Sequence, residues 1–342
     1  MSDQDSPLLV EVTRGPLVES RHRAAAIVVD AKGRVVLSRG DVERPIYPRS
    51  AAKPLQALPL VESGAADAFA LGPRELALAC GSHHGEAPHV AAVAAWLGRV
   101  GLGAQDLECG AHPPLNARSA DALVRRGARP SALHNNCSGK HSGFLTTARF
   151  LGEPTEAYIR LDHPVQRRVE RVLGEMAGLD LARAPHGTDG CGIPVIGMPL
   201  FGLARAMARM ADPAGLAPGR AAAAQRLLDA MAAEPLMVSG STGLATALLR
   251  VAGAKVRAKP GAEGVYAAAL PQHGLGLALK IEDGAARAAD VALISILSRL
   301  GVLDPADIAA LGGALKASVR TIAGTIVGEV RTADTDAPLS HA

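Results

Sequence analysis

The sequence predicts an α+β fold, a mixed α/β class in which an antiparallel sheet built from both chain ends is flanked by helices beside a helical lobe. Three observations predict it. Alternating apolar and polar residues are confined to the two ends, apolar residues at helical spacing fill the middle, and polar glycine-rich loops punctuate that middle.

The first alternating segments are Leu8 to Thr13, Arg23 to Val29 and Arg34 to Leu37, with Asp30-Ala31-Lys32-Gly33 as the reversal between the last two. Helical spacing follows over Ala51 to Val61, Pro88 to Val100, Lys140 to Leu151, Val165 to Met176, Leu200 to Met210 and Arg220 to Met231. Asp212-Pro213-Ala214-Gly215 is the expected flexible break among them. Gly264 to Ala269 and Leu275 to Ile281 return to strand pattern around Gln272-His273-Gly274, and Glu282-Asp283-Gly284 leads into a helix over Ala285 to Leu300. The simplest assembly pairs the strands of both ends in one sheet. It gives a single unit over 1–335, with a sheet lobe from about 1–50 and 250–335, a mainly helical lobe of about 51–249, a cleft between them and a loose tail over 336–342.

Composition narrows the function. The 342 residues are 48% hydrophobic and 20% charged, enough for a sizeable core and incompatible with disorder as the main state. Lys and Arg number 36 against 33 Asp and Glu, and a net +3 spread along the chain cannot supply the field that nucleic-acid binding needs. No apolar run reaches the roughly 18 residues of a membrane span, and Met1-Ser2-Asp3-Gln4-Asp5 is acidic where a signal peptide is basic. The expectation is a soluble cytoplasmic protein with a small-molecule ligand and neither nucleic-acid nor membrane partners. Four cysteines in so long a chain make a disulfide scaffold unnecessary. Lysine is rarer than arginine, so a lysine that persists marks a place suited to an amine that can lose its proton.

Ser50-Ala51-Ala52-Lys53 opens a helical pattern, and three-residue spacing on a helix puts the lysine over the serine hydroxyl. With its pKa lowered, Lys53 can deprotonate Ser50; on its own the motif reads first as a helix N-cap with an exposed lysine. Cys80-Gly81-Ser82-His83-His84-Gly85-Glu86 follows the apolar run Leu76 to Ala79 and places Ser82 at a strand-to-helix corner, where its hydroxyl can relay a proton or hold a carboxylate. Adjacent histidines rarely converge on one metal ion, so His83 and His84 are read as solvated or hydrogen-bonded. Two polar, thiol-bearing loops stand out further on: His134-Asn135-Asn136-Cys137-Ser138-Gly139-Lys140-His141 and His186-Gly187-Thr188-Asp189-Gly190-Cys191-Gly192. Their spacing supports equally a soft metal site and two buried structural thiols. Cys80 and Cys109 read as small core residues. Lys259-Pro260-Gly261 precedes the strand at Val265 and either points a lysine along the sheet edge into the cleft or forms an exposed turn.

Taken in order, five segments resemble the asparaginase II family, the thermolabile or rhizobial-type L-asparaginases, over about Val10 to Val330. They are Tyr47-Pro48-Arg49-Ser50-Ala51-Ala52-Lys53-Pro54, Ser82-His83-His84-Gly85-Glu86, Cys109-Gly110-Ala111-His112-Pro113-Pro114, His134 to His141, and Thr188-Asp189-Gly190-Cys191-Gly192. The resemblance implies a fold similar to serine β-lactamases and serine-dependent glutaminases. It implies a homodimer that hydrolyses L-asparagine to L-aspartate and ammonia. Catalysis would use Ser50 as nucleophile or its activator, Lys53 as its base, Ser82 as a second hydroxyl and Lys259 as a further cleft lysine. It also implies zinc on Cys137, Lys140 and Cys191, tuning affinity more than performing hydrolysis, and a pocket lined by Arg49, His141 and Asp189. One segment departs from the family: Met237-Val238-Ser239-Gly240-Ser241-Thr242-Gly243-Leu244-Ala245-Thr246 has Leu244 and Ala245 where polar groups are usual. The alternatives are a glutaminase or other serine amidase, and a catalytically weak amino-acid- or zinc-binding homologue.

Overall fold

The structure is a computed structural model that describes residues 6–333. The expected tail over 336–342 lies outside them. Three strands open the fold: β1 (Leu8–Arg14), β2 (Leu17–Asp30) and β3 (Val35–Arg39). A 3-10 turn over Arg49–Ala52 runs directly into α1 (Lys53–Gln56). The principal helices after it are α2 (Pro73–Cys80), α3 (Ala87–Arg99), α4 (Ser138–Leu151), α5 (Pro164–Ala177), α6 (Leu200–Ala211), α7 (Pro218–Ala233) and α8 (Leu244–Ala252). The chain then returns to strand in β4 (Arg257–Gly261), β5 (Val265–Leu270) and β6 (Leu275–Ile281), and ends with α9 (Ala286–Arg299), β7 (Ser318–Arg320) and β8 (Ile326–Thr332).

Both ends do meet in one antiparallel sheet, ordered β7-β8-β1-β2-β6-β5-β4, with β3 also paired to β2. β2 joins its two parts. Leu17 to Arg23 pair with β1, whereas Ala24 to Asp30 pair with β6. Side chains alternate along this second half and feed two cores. Ala25, Ile27 and Val29 pack into the cluster that includes Leu55, Leu203 and Met207, and Ala24, Ala26 and Val28 into the one that includes Leu293 and Leu297. Burial on both faces explains why this stretch reads as continuously apolar. Helix α6 lies against β6: a Cβ on Gly276 would meet the Ala204 carbonyl oxygen at 2.0 Å, so only glycine permits this approach.

The structure corrects several expectations. The strand proposed from Arg23 begins at Leu17, because β1 supplies hydrogen bonds to residues whose side chains are largely exposed and polar. The apolar run Leu76 to Ala79 is helical, so Ser82 follows a helix and not a strand; its side chains are buried on every side, which erases the amphipathic signal. The helix expected over Ala51 to Val61 is broken into Lys53–Gln56 and Leu58–Glu62, each opening with a proline. Lys259 lies within an edge strand, not ahead of one. A helix over Ala117–Arg125, and α8, had no clear pattern in the sequence. Asp212 to Gly215 forms a capped turn in which Asp212 Oδ1 accepts from the Ala214 N–H. Among the described residues no helix is long and apolar enough to cross a membrane.

Candidate active site

Three segments distant in sequence bring two amines to one hydroxyl. Lys53 rises from α1, Lys259 from edge strand β4, and Ser82 from the loop after α2, whose backbone is fixed by the Ser82 N–H bond to the Val238 carbonyl. Lys53 Nζ lies 2.9 Å and Lys259 Nζ 2.8 Å from Ser82 Oγ. Lys53 Nζ also donates to the carbonyls of Gly81 at 2.6 Å and Asn136 at 3.3 Å, and Lys259 Nζ to that of Pro260 at 2.7 Å. Both amines are almost wholly inaccessible. Burial, and next the neighbouring Lys53, hold Lys259 well below its ordinary pKa. Burial also lowers Lys53, with Cys137 opposing and Lys140 assisting. Both shifts favour the uncharged amine that a general base requires.

Ser50 stands on the 3-10 turn that precedes Lys53. Arg49 before it has φ of +49°, a left-handed conformation that costs a non-glycine residue about 1 kcal/mol or more and marks functional corners. The turn is pinned from two sides. Arg49 donates to Asp189 Oδ1 at 2.8 Å, and Gly261 lets β4 approach so closely that a Cβ there would sit 2.7 Å from the Pro48 carbonyl oxygen. The amine of Lys53 points to Ser82 and not to Ser50, so the expected stacking of Lys53 over Ser50 is not the contact observed.

Beside Lys53 lie the two thiol loops. Lys140 Nζ is 3.0 Å from Cys191 Sγ, and Cys137 lies beside Cys191, Lys53 and Lys140. Cys191, with Lys53 and Lys140 nearby, draws Cys137 well below the usual thiol range despite burial, and Cys137 in turn pushes Cys191 up. Burial opposes the charge on Lys140, yet Cys137 and Cys191 raise its pKa. His141 completes the wall: its Nδ1 lies 2.7 Å from Tyr158 OH, which accepts from the Glu108 N–H. His141 Nε2 is buried without a partner among the described residues.

The profile of the L-asparaginase II family matches residues 10–332, nearly the whole of the described chain. The chain belongs to the L-asparaginase II family. No curated protein matches the chain. Among solved structures it is similar to Mglu in its native form in 4.3 M NaCl, at 15% identity and a TM-score of 0.46, over 82% of this chain and 61% of that one. The chain thus spans about three-fifths of Mglu. It is also similar to a LovD6 mutant of simvastatin synthase from Aspergillus terreus, at 13% identity and a TM-score of 0.39, over 76% and 86% of the two chains. A β-lactamase from Mycobacterium bovis is similar at 15% identity and a TM-score of 0.35, over 81% and 94%.

In this member of the L-asparaginase II family the structure gathers Lys53, Ser82 and Lys259, joins Arg49 to Asp189, and brings Cys137, Lys140 and Cys191 together. No three His, Cys, Asp or Glu side chains converge among the described residues, so a metal centre here depends on the lysine. Two soft sulfurs and one amine fit zinc in chemical type. Binding a metal there means displacing the protons of Cys191 and Lys140.

Several contributors were not assigned from sequence. His83 is fully buried, accepts from the Gly85 N–H through Nδ1 and therefore donates from Nε2 to Ser138 Oγ at 2.8 Å. Asn135 is buried and ties loops together. Gln56, one turn beyond Lys53, lines a cavity of about 10 Å³, room for one water, with Arg49, Gln166 and Asp189. Gln56 is a polar residue inside an otherwise apolar stretch, and His83 and Asn135 belong to the polar loops already singled out. The departing segment lies at His84: Thr242 Oγ1 is 3.3 Å from His84 Nδ1, and Ser241 donates its N–H to Glu86. Leu244 and Ala245 are themselves buried. Cys80 and Cys109 behave as core thiols, each pushed up to about 12 by burial.

Proposed function

We propose that the chain hydrolyses L-asparagine to L-aspartate and ammonia through Ser50, Lys53, Ser82 and Lys259. The observation that carries this reading is the placement of Ser82 Oγ between two buried lysine amines, 2.9 and 2.8 Å away. Ser50, on its strained and pinned turn, attacks the side-chain amide carbon of the substrate. Lys53, three residues on, takes the Ser50 proton by turning its amine from Ser82, a short motion of the kind that substrate binding tightens. Ser82 receives that proton and hands it to the departing ammonia, and Lys259 restores the proton balance at Ser82. An aspartyl ester on Ser50 results, and water activated by the same amine releases L-aspartate.

Arg49 and Asp189 offer opposite charges to the substrate's α-carboxylate and α-ammonium, and His141 offers its Nε2 proton to a further oxygen. Zinc held by Cys137, Lys140 and Cys191 would supply a positive charge beside the pocket that favours an anionic substrate group. The distances also favour a second reading in which Ser82 itself attacks, since it alone of the two serines touches both lysines. Denaturing mass spectrometry of protein quenched during turnover decides between them. An acyl mass on the Ser50 peptide, lost in Ser50→Ala, supports the first; one on the Ser82 peptide supports the second; ammonia released from L-glutamine and not L-asparagine moves the substrate assignment.

A further inference from the structure

The placement of Lys53 and of the thiol pair depends on the backbone of residues 136 and 137. The carbonyl of Asn136 accepts from Lys53 Nζ, and Cys137 carries the sulfur that lies beside Cys191 and Lys53. Neither residue lies within a helix or strand; Cys137 is the cap of α4, and a turn precedes it. What holds them is a side chain with no contact to a reacting atom. Asn135 is 4% exposed, and its Oδ1 accepts from the Cys137 N–H at 2.8 Å. Its Nδ2 donates to the carbonyls of Cys109 at 2.8 Å and Gly110 at 3.1 Å. The same neighbouring loop also holds the next residue, since the Asn136 N–H donates to His112 Nε2 at 3.0 Å.

We propose that Asn135 is a positioning residue of this site, clamping the Cys109–His112 loop to the start of α4. It thereby sets Cys137 Sγ against Cys191 and the Asn136 carbonyl against Lys53. The consequence for turnover rests on the reading in the preceding subsection; the consequence for the thiols does not. Both ends of the amide are used, so no isosteric replacement preserves the clamp: a carboxylate would repel two carbonyl oxygens, and an alkyl group would strand them and the Cys137 N–H.

The test compares Asn135→Ala with Tyr266→Phe, which removes the hydrogen bond of a 4%-exposed side chain to Asp290 Oδ1 between β5 and α9. Each full-length variant is measured for the rate of Cys137 alkylation by iodoacetamide, for zinc affinity by competitive titration, and for kcat and KM with L-asparagine. Asn135→Ala is expected to label about tenfold faster, bind zinc about tenfold more weakly and lose about 10- to 100-fold in kcat while KM moves less than about threefold. Tyr266→Phe is expected to match the wild type in all three. Unchanged labelling in Asn135→Ala overturns the proposal, as does an equal effect from Tyr266→Phe. A wild type that releases no ammonia removes the Ser-Lys reading and leaves the labelling rate to decide Asn135. If the alanine variant does not fold, Asn135→Ser, which retains an acceptor near the Cys137 N–H, is expected to label at an intermediate rate; labelling as slow as wild type overturns the proposal.

Discussion

Replacing Lys259 with methionine separates what this amine costs the fold from what it contributes to the reaction. Lys259 is 0% exposed, and burial followed by the Lys53 charge holds it well below the ordinary 10.5. In the unfolded chain the amine is protonated at neutral pH, so its depressed pKa opposes folding, by about 1.4 kcal/mol for each unit of depression down to the ambient pH. Methionine fills a similar volume without that cost. It forfeits hydrogen bonds to Ser82 Oγ and the Pro260 carbonyl, worth about 1 kcal/mol each. The net expectation is a variant more stable by about 1–2 kcal/mol at pH 7 and slower by about 10²- to 10⁴-fold. The sign of the pH dependence follows. From the depressed folded value up to 10.5 the unfolded chain binds more protons, so wild-type stability rises with pH in that window, and the variant's slope is flatter. Urea unfolding at neutral and mildly alkaline pH, beside ammonia release from L-asparagine, measures both. Destabilisation beyond about 2 kcal/mol, an unaltered pH slope, or activity within about tenfold of wild type would refute the reasoning.

Ser50→Ala should abolish ammonia release with the melting temperature preserved, because it deletes a partly exposed hydroxyl and opens no core cavity; substantial residual turnover excludes Ser50 as the attacking group. Asp189→Asn should raise KM for L-asparagine about tenfold and destabilise by about 1–3 kcal/mol, through loss of the Arg49 ion pair beneath a strained turn. Burial opposes ionisation of Asp189, but Lys140 and then Arg49 hold it below its ordinary value, so its share of stability is present above 3.8 and lost as pH falls through the folded value; an acid unfolding midpoint that does not shift in the variant contradicts this. Cys191→Ala should lower bound zinc, measured by plasma emission, and raise KM more than it lowers kcat; full metal content in the variant rules out the Cys137, Lys140 and Cys191 site.

The frame of the fold was legible because its signals are local. Ala24 to Val29 and Leu275 to Ile281 announce strands from composition alone, and they are the paired centre of the sheet. The helix Pro73–Cys80 was not legible, since a short apolar run buried on all sides carries no periodicity. The site divides in the same way. That Lys53, Ser82 and Lys259 are candidates could be read from motifs, but the end point of a four-carbon side chain could not: Lys53 was expected over Ser50 and reaches Ser82, placed there by two later segments of chain. Cys137 and Cys191 were balanced between metal ligands and inert core because spacing cannot reveal that Lys140 meets Cys191 at 3.0 Å.

Helix α4 carries Lys140 and His141, and from Ser138 to Ala148 every side chain on it is buried. Its hydroxyls are satisfied within the helix, Ser142 to the Ser138 carbonyl, Thr146 to that of Ser142 and Thr147 to that of Gly143. Gly139 abuts the Leu78 carbonyl so closely that a Cβ would lie 2.4 Å from its oxygen. This has a consequence for directed evolution: libraries at the floor of the pocket will yield mostly unfolded protein. Productive diversity belongs at exposed positions off this helix, such as Tyr47 and Leu161, which are 40% and 45% exposed.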